Sequence, residues 1–191
     1  MIWLRGTLLV LGACLCALEA SAAESSATVS LSSEAQAVIA QLDHHDAYIR
    51  QQAFLRLEAL REPATAAVVR RYLNSRQATT RAWSLRAVAA IEGINAISTL
   101  RESLRRDRNP YVRLQAVLAL EPLMAQEPSV LDALIGALRD RHYEVRMAAV
   151  DAVSRIEQPK ARSAIRTRWK RERHRDVRRV LQQALTRLGG S

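Results

Sequence analysis

The sequence predicts an all-α protein built from stacked helix pairs, and two observations carry this prediction. Hydrophobic residues make up 49% of the chain but aromatic residues only 4%, so the apolar mass is Ala, Leu, Val and Ile. With six glycines and five prolines, this composition favours closely packed helices over a β-sandwich. In addition, one arginine-containing pattern recurs along most of the chain.

The recurrent arginine has spacings of 31, 32, 33 and 32 residues, a period typical of stacked structural repeats. Small or aliphatic residues follow three, seven and ten positions after most of these arginines, which places them on one face of a helix. We call this helix the arginine helix of each unit. The recurrent arginines are Arg50, Arg81, Arg113, Arg146 and Arg178.

A further helix is predicted between successive arginine helices, and we call it the intervening helix. Its apolar positions align as Val69, Leu100, Leu134 and Ile165. Prolines precede or open three of these helices, where the missing proline N–H costs nothing. We expect each unit to consist of an arginine helix and the intervening helix that follows it.

Several residues predict where helices begin and end. Asn109 before Pro110 has the side chain of a helix N-cap, and Pro122 should kink or end its arginine helix. Ser33 and Gln36 have capping-box spacing, so we expect an N-terminal capping helix to begin there.

The repeated pattern resembles HEAT repeats, particularly the short HEAT-like repeats of phycobilin lyases. The matching residues are seen in Val145, Arg146, Ala149 and Val153, and the resemblance covers residues 33–188. It implies a right-handed α-solenoid, an α-α superhelix, of about four and a half HEAT-like units. Such solenoids serve many purposes, so the resemblance is specific for architecture and not for function.

The resemblance also implies a structural role for the recurrent arginines. In HEAT repeats, acid–arginine pairs form a hydrogen-bonded ladder between neighbouring units. Acidic residues stand six positions before three of the arginines, and a charge-assisted pair would fix the turn into the arginine helix. These acids are Asp107, Asp140 and Glu172.

Positive charge is concentrated in the C-terminal half of the chain. The formal net charge is +10, and residues 95–191 hold 20 basic and 11 acidic residues, against 8 and 7 in residues 24–94. The resemblance implies that the intervening helices line the concave, partner-binding surface. We therefore expect a basic concave stripe that binds an acidic partner, formed by Arg70, Arg101, Arg105, Arg139, Arg162, Arg166 and Lys170. The alternative is a solvated arginine face that only maintains solubility.

The N-terminus has the layout of a secretory signal peptide. A short positive segment precedes an apolar run at residues 6–18, and small residues follow at 20–22. We expect a signal peptide at residues 1–22, a linker at 23–32 and the repeat domain at 33–191. The segment around Cys14 also resembles a lipoprotein processing box, which would leave Cys14 lipidated.

No catalytic, metal or cofactor site is expected. The chain lacks the His-Glu dipeptides through which deoxyhypusine hydroxylase, a HEAT-like enzyme, binds iron. It also lacks a glycine-rich phosphate loop and a nucleophile elbow. Trp169, in the densest basic run, is expected in the core because it occupies an aligned leucine position.

These observations predict a monomeric, non-catalytic scaffold of the bacterial cell envelope, periplasmic or secreted. Its partner would be an acidic protein, with anionic lipid or an envelope polymer left open. Export argues against nucleic acid. The alternative is an enzyme or enzyme-accessory protein, similar to a chromophore lyase or to the HEAT-like alkylpurine glycosylases.

Overall fold

The structure, a computed structural model, describes residues 30–189. The predicted signal peptide, Cys14 and most of the predicted linker lie outside the described residues. A compact unit begins at Leu31.

The described residues are helical and contain no strand. Short 3₁₀ segments at Pro63–Thr65, Tyr72–Asn74, Gly93–Ala96 and Glu121–Ala125 join some of the α-helices. In chain order the α-helices are α1 (Ser33–Ile39), α2 (Ala47–Leu60), α3 (Ala66–Arg71), α4 (Ala78–Glu92), α5 (Ile97–Arg106), α6 (Pro110–Leu120), α7 (Val130–Ala137), α8 (Tyr143–Ser154), α9 (Pro159–Arg171) and α10 (Arg175–Arg187). The arginine helices are α2, α4, α6, α8 and α10, the intervening helices are α3, α5, α7 and α9, and α1 precedes the first arginine helix.

Local sequence sets most of the observed helix ends. The Asn109 side chain caps α6 by accepting a hydrogen bond from the Tyr111 amide, as predicted. Pro122 lies in the 3₁₀ segment that follows the end of α6, also as predicted. The expected capping box was wrong by one residue, because Ser32, and not Ser33, accepts the hydrogen bond from the Ala35 amide.

The helices do not pair as expected, with each arginine helix joined to the intervening helix that follows it. Each intervening helix packs closely against the arginine helix that follows it, as α5 does with α6 and α9 with α10. Helix α1 accordingly packs against α2 and completes a pair. The described residues therefore hold five helix pairs instead of four and a half units, because the short turn before each arginine helix brings those two helices together.

The two layers of the stack differ in how tightly they pack. Each arginine helix makes extensive contact with the next one, from α2 through α10, whereas neighbouring intervening helices barely touch. In a curved stack the inner layer is the compressed one, so the arginine helices line the concave side. The expectation that the intervening helices line the concave side was therefore wrong, because it is the outer layer that spreads apart.

The core runs continuously along the stack, as expected for an α-solenoid. It consists mainly of Leu, Val and Ala, with Phe54 and Trp83 as its buried aromatic residues. Trp169 packs against this core from a half-buried position, as its leucine alignment predicts. Among residues 30–189, no helix is both long enough and apolar enough to cross a membrane.

Candidate functional site

The recurrent arginines join neighbouring helix pairs through bidentate hydrogen bonds. Arg113 donates from Nε and Nη2 to the two carboxylate oxygens of Asp140, both at 2.7 Å. Its Nη1 donates to the carbonyl oxygens of Asp107 and Arg108, in the turn before its own helix. Such an arginine thus bonds to the backbone carbonyls of the turn before its own helix and to the acidic side chain of the following turn.

The same geometry is found at two other turns. Arg81 bonds to Asp107 at 2.8 and 2.9 Å, and Arg146 bonds to Glu172 at 2.9 and 3.1 Å. Because Arg146 and Glu172 are both buried, the pair depends on complete hydrogen bonding for its stability.

The ladder changes at its two ends. Arg50 has no acid at the following turn and bonds instead to the Gln77 side chain at 3.0 Å. Arg178, beyond which no further turn follows in the described residues, bonds to the Glu172 carbonyl and lies over the Trp169 ring at 5.2 Å.

The pKa values of the ladder acids indicate that all three are ionised. Burial alone would raise the pKa of Glu172, but hydrogen bonds from Arg146, the His174 amide and Arg168 lower it to about 2. Burial likewise opposes ionisation of Asp107 and Asp140, yet their arginine partners hold both pKa values below the usual range. With its acids and arginines both engaged, the ladder is a structural element.

Three residues of the expected basic stripe lie in one open groove. This groove runs between α5 and α7 on the outer layer and has a volume of about 930 Å³. Arg101, Arg105 and Arg139 line it, together with small residues such as Ser98, Ala133 and Gly136. Small side chains on α7 leave the space that the arginines surround. We call this surface the outer groove.

The acids of the outer groove are already paired. Glu102 bonds to Arg106 at 3.1 Å, Asp132 contacts Lys160, and Asp140 belongs to the ladder. By contrast, Arg105 and Arg139 are exposed, and neither forms a salt bridge among the described residues. Arg101 donates to the Ser129 hydroxyl at 2.6 Å. The groove therefore has an excess of positive charge.

The other expected members of the stripe lie elsewhere. Arg70 forms an ion pair with Glu92 and bonds to Thr99 at 3.2 Å, so its charge is balanced within the fold. On α9, the residues that face α7 are Ala164, Thr167, Arg168 and Arg171.

Arg162, Arg166 and Lys170 occupy the opposite side of α9, because they fall four residues apart on another helix face. The outer groove therefore holds three of the seven residues of the expected stripe, and the three on α9 lie outside it. Arg166 and Lys170 align with Arg101 and Arg105, but that helix face meets the next intervening helix on α5, whereas on α9 it lies on the side away from α7.

Arg168 and Arg171 were missed by the sequence reasoning. Arg168 bonds to Glu172 and is largely neutralised there, whereas Arg171 is exposed. For Arg171 the signal is its position immediately before the ladder acid, which repeats at Arg106 and Arg139, whereas Arg168 stands one helical turn before Glu172 at a position that does not repeat.

The concave layer offers a second groove, of about 620 Å³, across α2, α4 and α6. Its lining includes Ala89, Ala119 and the exposed Leu118, with Glu58 and Arg86 paired at 3.0 Å. This surface is close to neutral and carries no concentration of charge.

The histidines do not form a metal site in the described part of the chain. No group of three or more potential ligands occurs within residues 30–189. Tyr143 lies between the two aligned histidines, stacked on His174 at 4.4 Å and on His142 at 5.1 Å. The rings pack against one another at the turns.

Comparison with solved structures shows the same type of fold. One chain of the CpcE–CpcF complex of phycocyanin lyase from Nostoc sp. PCC7120 has a TM-score of 0.62 at 22% identity, covering 78% of this chain and 96% of that one. A designed armadillo repeat protein in complex with the peptide (KR)4 has a TM-score of 0.55 at 16% identity, covering 79% and 80%.

An engineered protein is also similar, with a TM-score of 0.51 at 17% identity over 82% of this chain and 80% of that one. No curated protein sequence matches the chain.

The sequence pattern of HEAT repeats matches residues 35–121 and 97–186, which together span most of the chain. The acid–arginine bonds lie between successive helix pairs inside this matched region. The chain belongs to the HEAT repeat family.

Proposed function

We propose that this chain is a protein-binding HEAT-repeat module, non-catalytic by itself, that acts as an accessory subunit of a partner protein. HEAT-repeat proteins typically bind protein partners. The apolar side chains of this chain form one continuous core along the stack, so the outer surfaces of the helices are left for binding. The partner surface would be acidic and would bind in the outer groove.

The charge balance of the outer groove carries this proposal. Its acids are all paired, so Arg105 and Arg139 are left to attract carboxylates from outside. The exposed side chains of Arg105 and Arg139 border a floor of small residues at Ala133 and Gly136, which an incoming side chain could contact. An acidic partner would therefore gain both charge pairing and close approach.

The comparison with the phycocyanin lyase complex supports an accessory subunit over an envelope adaptor. That structure is a complex of two subunits, and the present fold resembles one chain of it. Cell-envelope location rests on the N-terminal sequence alone. The enzyme-like readings rest on resemblance of fold.

The decisive experiment is quantitative cross-linking of the mature chain in its own cells, comparing wild type with Arg105→Glu/Arg139→Glu. We expect the double variant to lose its main cross-linked partner, and the loss to resemble that caused by raised salt. Arg71→Glu/Arg179→Glu is the matched control, since it changes the net charge equally at exposed sites outside the outer groove.

The concave groove is tested in the same experiment by Leu118→Glu, which places a charge on its exposed apolar residue. Loss of the partner with Leu118→Glu and its retention with Arg105→Glu/Arg139→Glu would move the binding site to the concave side. Equal loss in the control would refute recognition by the outer groove, and recovery of nucleic acid in place of protein would refute the protein-binding proposal.

Measurement of the N-terminal mass from the same preparation separates the locations. A mature chain starting after Ala22, or a lipidated Cys14, would support the envelope. An intact N-terminus in the cytoplasmic fraction would support an intracellular accessory subunit.

A further inference from the structure

Three successive turns of the stack carry the same triplet, an acid flanked by two arginines. The acid is the ladder residue, Asp107, Asp140 or Glu172, and the arginines stand immediately before and after it. The triplets are residues 106–108, 139–141 and 171–173. In the preceding turn, residues 74–76, only the last position is arginine.

The acid of each triplet cannot neutralise its neighbours. Asp140, for example, directs both carboxylate oxygens to Arg113 and also accepts a hydrogen bond from the His142 amide. The arginines beside it are exposed. Because the ladder acid is engaged by the arginine of the preceding arginine helix, each of these turns keeps an excess of positive charge.

The arginine after the acid forms a column along one edge of the stack. Its members, which we call the turn column, are Arg76, Arg108, Arg141 and Arg173, and all are exposed. Two successive members are shown to be close in space, since Arg141 donates from Nη2 to the Arg108 carbonyl at 2.6 Å. Three acids lie near this edge, and each contacts a residue outside the turn column: Glu102 contacts Arg106, Glu144 contacts His142 and Asp176 contacts Arg179.

We propose that the turn column binds an extended acidic segment of a protein, lying along the edge of the stack. Packed helices lie roughly 8–10 Å apart, so the column offers a cation at about that interval. An extended polypeptide rises about 3.3 Å per residue, and every third side chain therefore matches one turn. The arginines can each pair with a carboxylate in a bidentate manner.

The aromatic residues at this edge favour a polypeptide over single-stranded nucleic acid. Binding of single strands relies on bases stacking on open aromatic faces. Here Tyr143 is stacked between His142 and His174, and His44 packs against His45 at 4.2 Å with the two rings tilted. Tyr48 and Tyr111 are 66% and 39% exposed, but they lie two units apart with Thr79 at the equivalent position between them, and Tyr143, which is 37% exposed, already packs against two histidine rings.

This inference deepens the proposed function, because it rests on an acidic protein as the partner, but it assigns the contact to different residues. Arg139 borders the outer groove, so the experiment leaves it unchanged and uses Arg108→Glu/Arg141→Glu. Arg71→Glu/Arg179→Glu is again the control of equal charge. A neutral variant, Arg108→Gln/Arg141→Gln, separates loss of attraction from new repulsion.

The probe is a fluorescein-labelled peptide of about twelve residues that repeats Asp-Gly-Ser, a length matched to four turns of the stack. A peptide of the same composition with its acids clustered at one end is compared, along with a single-stranded oligonucleotide of similar length. Binding is measured by fluorescence anisotropy at low and at physiological salt, and circular dichroism monitors folding of each variant.

We expect the spaced peptide to bind more tightly than the clustered one, and Arg108→Glu/Arg141→Glu to weaken it by about tenfold or more, with a smaller loss for the glutamine variant. Equal weakening by the control, or no preference for the spaced peptide, would overturn the inference. Tighter binding of the oligonucleotide with the same dependence on the turn column would also overturn it. None of these three outcomes affects the outer-groove test, whose variants keep the turn column intact.

Discussion

Replacement of Arg113 by methionine tests whether the ladder holds the helix pairs together. Arg113 and Asp140 are both largely buried, with side chains 4% and 10% exposed. Arg113→Met keeps an apolar stem in place but leaves the Asp140 carboxylate with the His142 amide as its remaining hydrogen-bond donor within the described residues. Breaking a buried pair in this way typically costs about 3–5 kcal/mol of unfolding free energy.

The assay is urea and thermal unfolding followed by circular dichroism. For a domain of this size, the expected loss corresponds to a decrease in Tm of about 10 °C. Arg50→Met is the matched control, because Arg50 occupies the same position but pairs with the neutral Gln77 at an exposed site. Its replacement should cost only about 1 kcal/mol.

The pH dependence adds a second readout. Burial opposes ionisation of Asp140, yet the bond from Arg113 leaves its pKa below the ordinary value in the folded protein. Its stabilising contribution is therefore present at neutral pH and is lost as the pH falls through that lowered pKa. The difference between wild type and Arg113→Met should shrink in acid, below about pH 4.

A double-mutant cycle with Asp140→Asn completes the test. We expect a coupling free energy of about 1–3 kcal/mol between the two side chains. Equal destabilisation by Arg113→Met and Arg50→Met, a coupling near zero, and a difference that does not change with pH would together refute a stabilising role for the ladder.

Three further changes follow from the same contacts. Gly136→Ala should stabilise the protein by about 0.5–1 kcal/mol in urea unfolding, because an added Cβ meets no atom within 4 Å and α7 gains helix propensity; a loss of stability would mean that α7 needs the glycine. Ser84→Ala should cost about 1 kcal/mol, since the buried hydroxyl donates to the Val69 carbonyl at 2.7 Å, and a neutral result would show that this bond contributes nothing net. With a folded pKa of about 2, Glu172 should contribute stability above its unfolded pKa of about 4.5 and lose it as the pH falls towards 2, whereas Glu172→Gln should flatten that part of the acid unfolding profile.

Local sequence accounts for the elements and for the presence of repeats. The period of the arginine pattern identifies the stack, because each unit must bury the same helix face against its neighbours. Asn109 and Pro122 determine ends of α6 through hydrogen bonding and ring geometry that act within a few residues. Such short-range effects can be read without knowing the rest of the fold.

The grouping of helices into pairs and layers could not be predicted from the local sequence. The sequence alternates two helix types, and periodicity alone does not say which two share a pair. Packing decides this: Ser84 on α4 bonds to Val69 on the preceding α3, so the close partner comes before the arginine helix. The concave side also depends on curvature, which arises from the relative spacing of the two layers.

The sequence by itself therefore determined the helices, the repeat and the acids and arginines of the ladder, because these follow from periodicity and residue chemistry. Tertiary structure decided which charges remain available. Arg70 is neutralised by Glu92, and Arg166 is turned away from the outer groove, whereas Arg105 stays free beside paired acids. Whether an arginine can meet a partner depends on its neighbours in three dimensions, since hydrogen bonds across helices redistribute the charge that composition only counts.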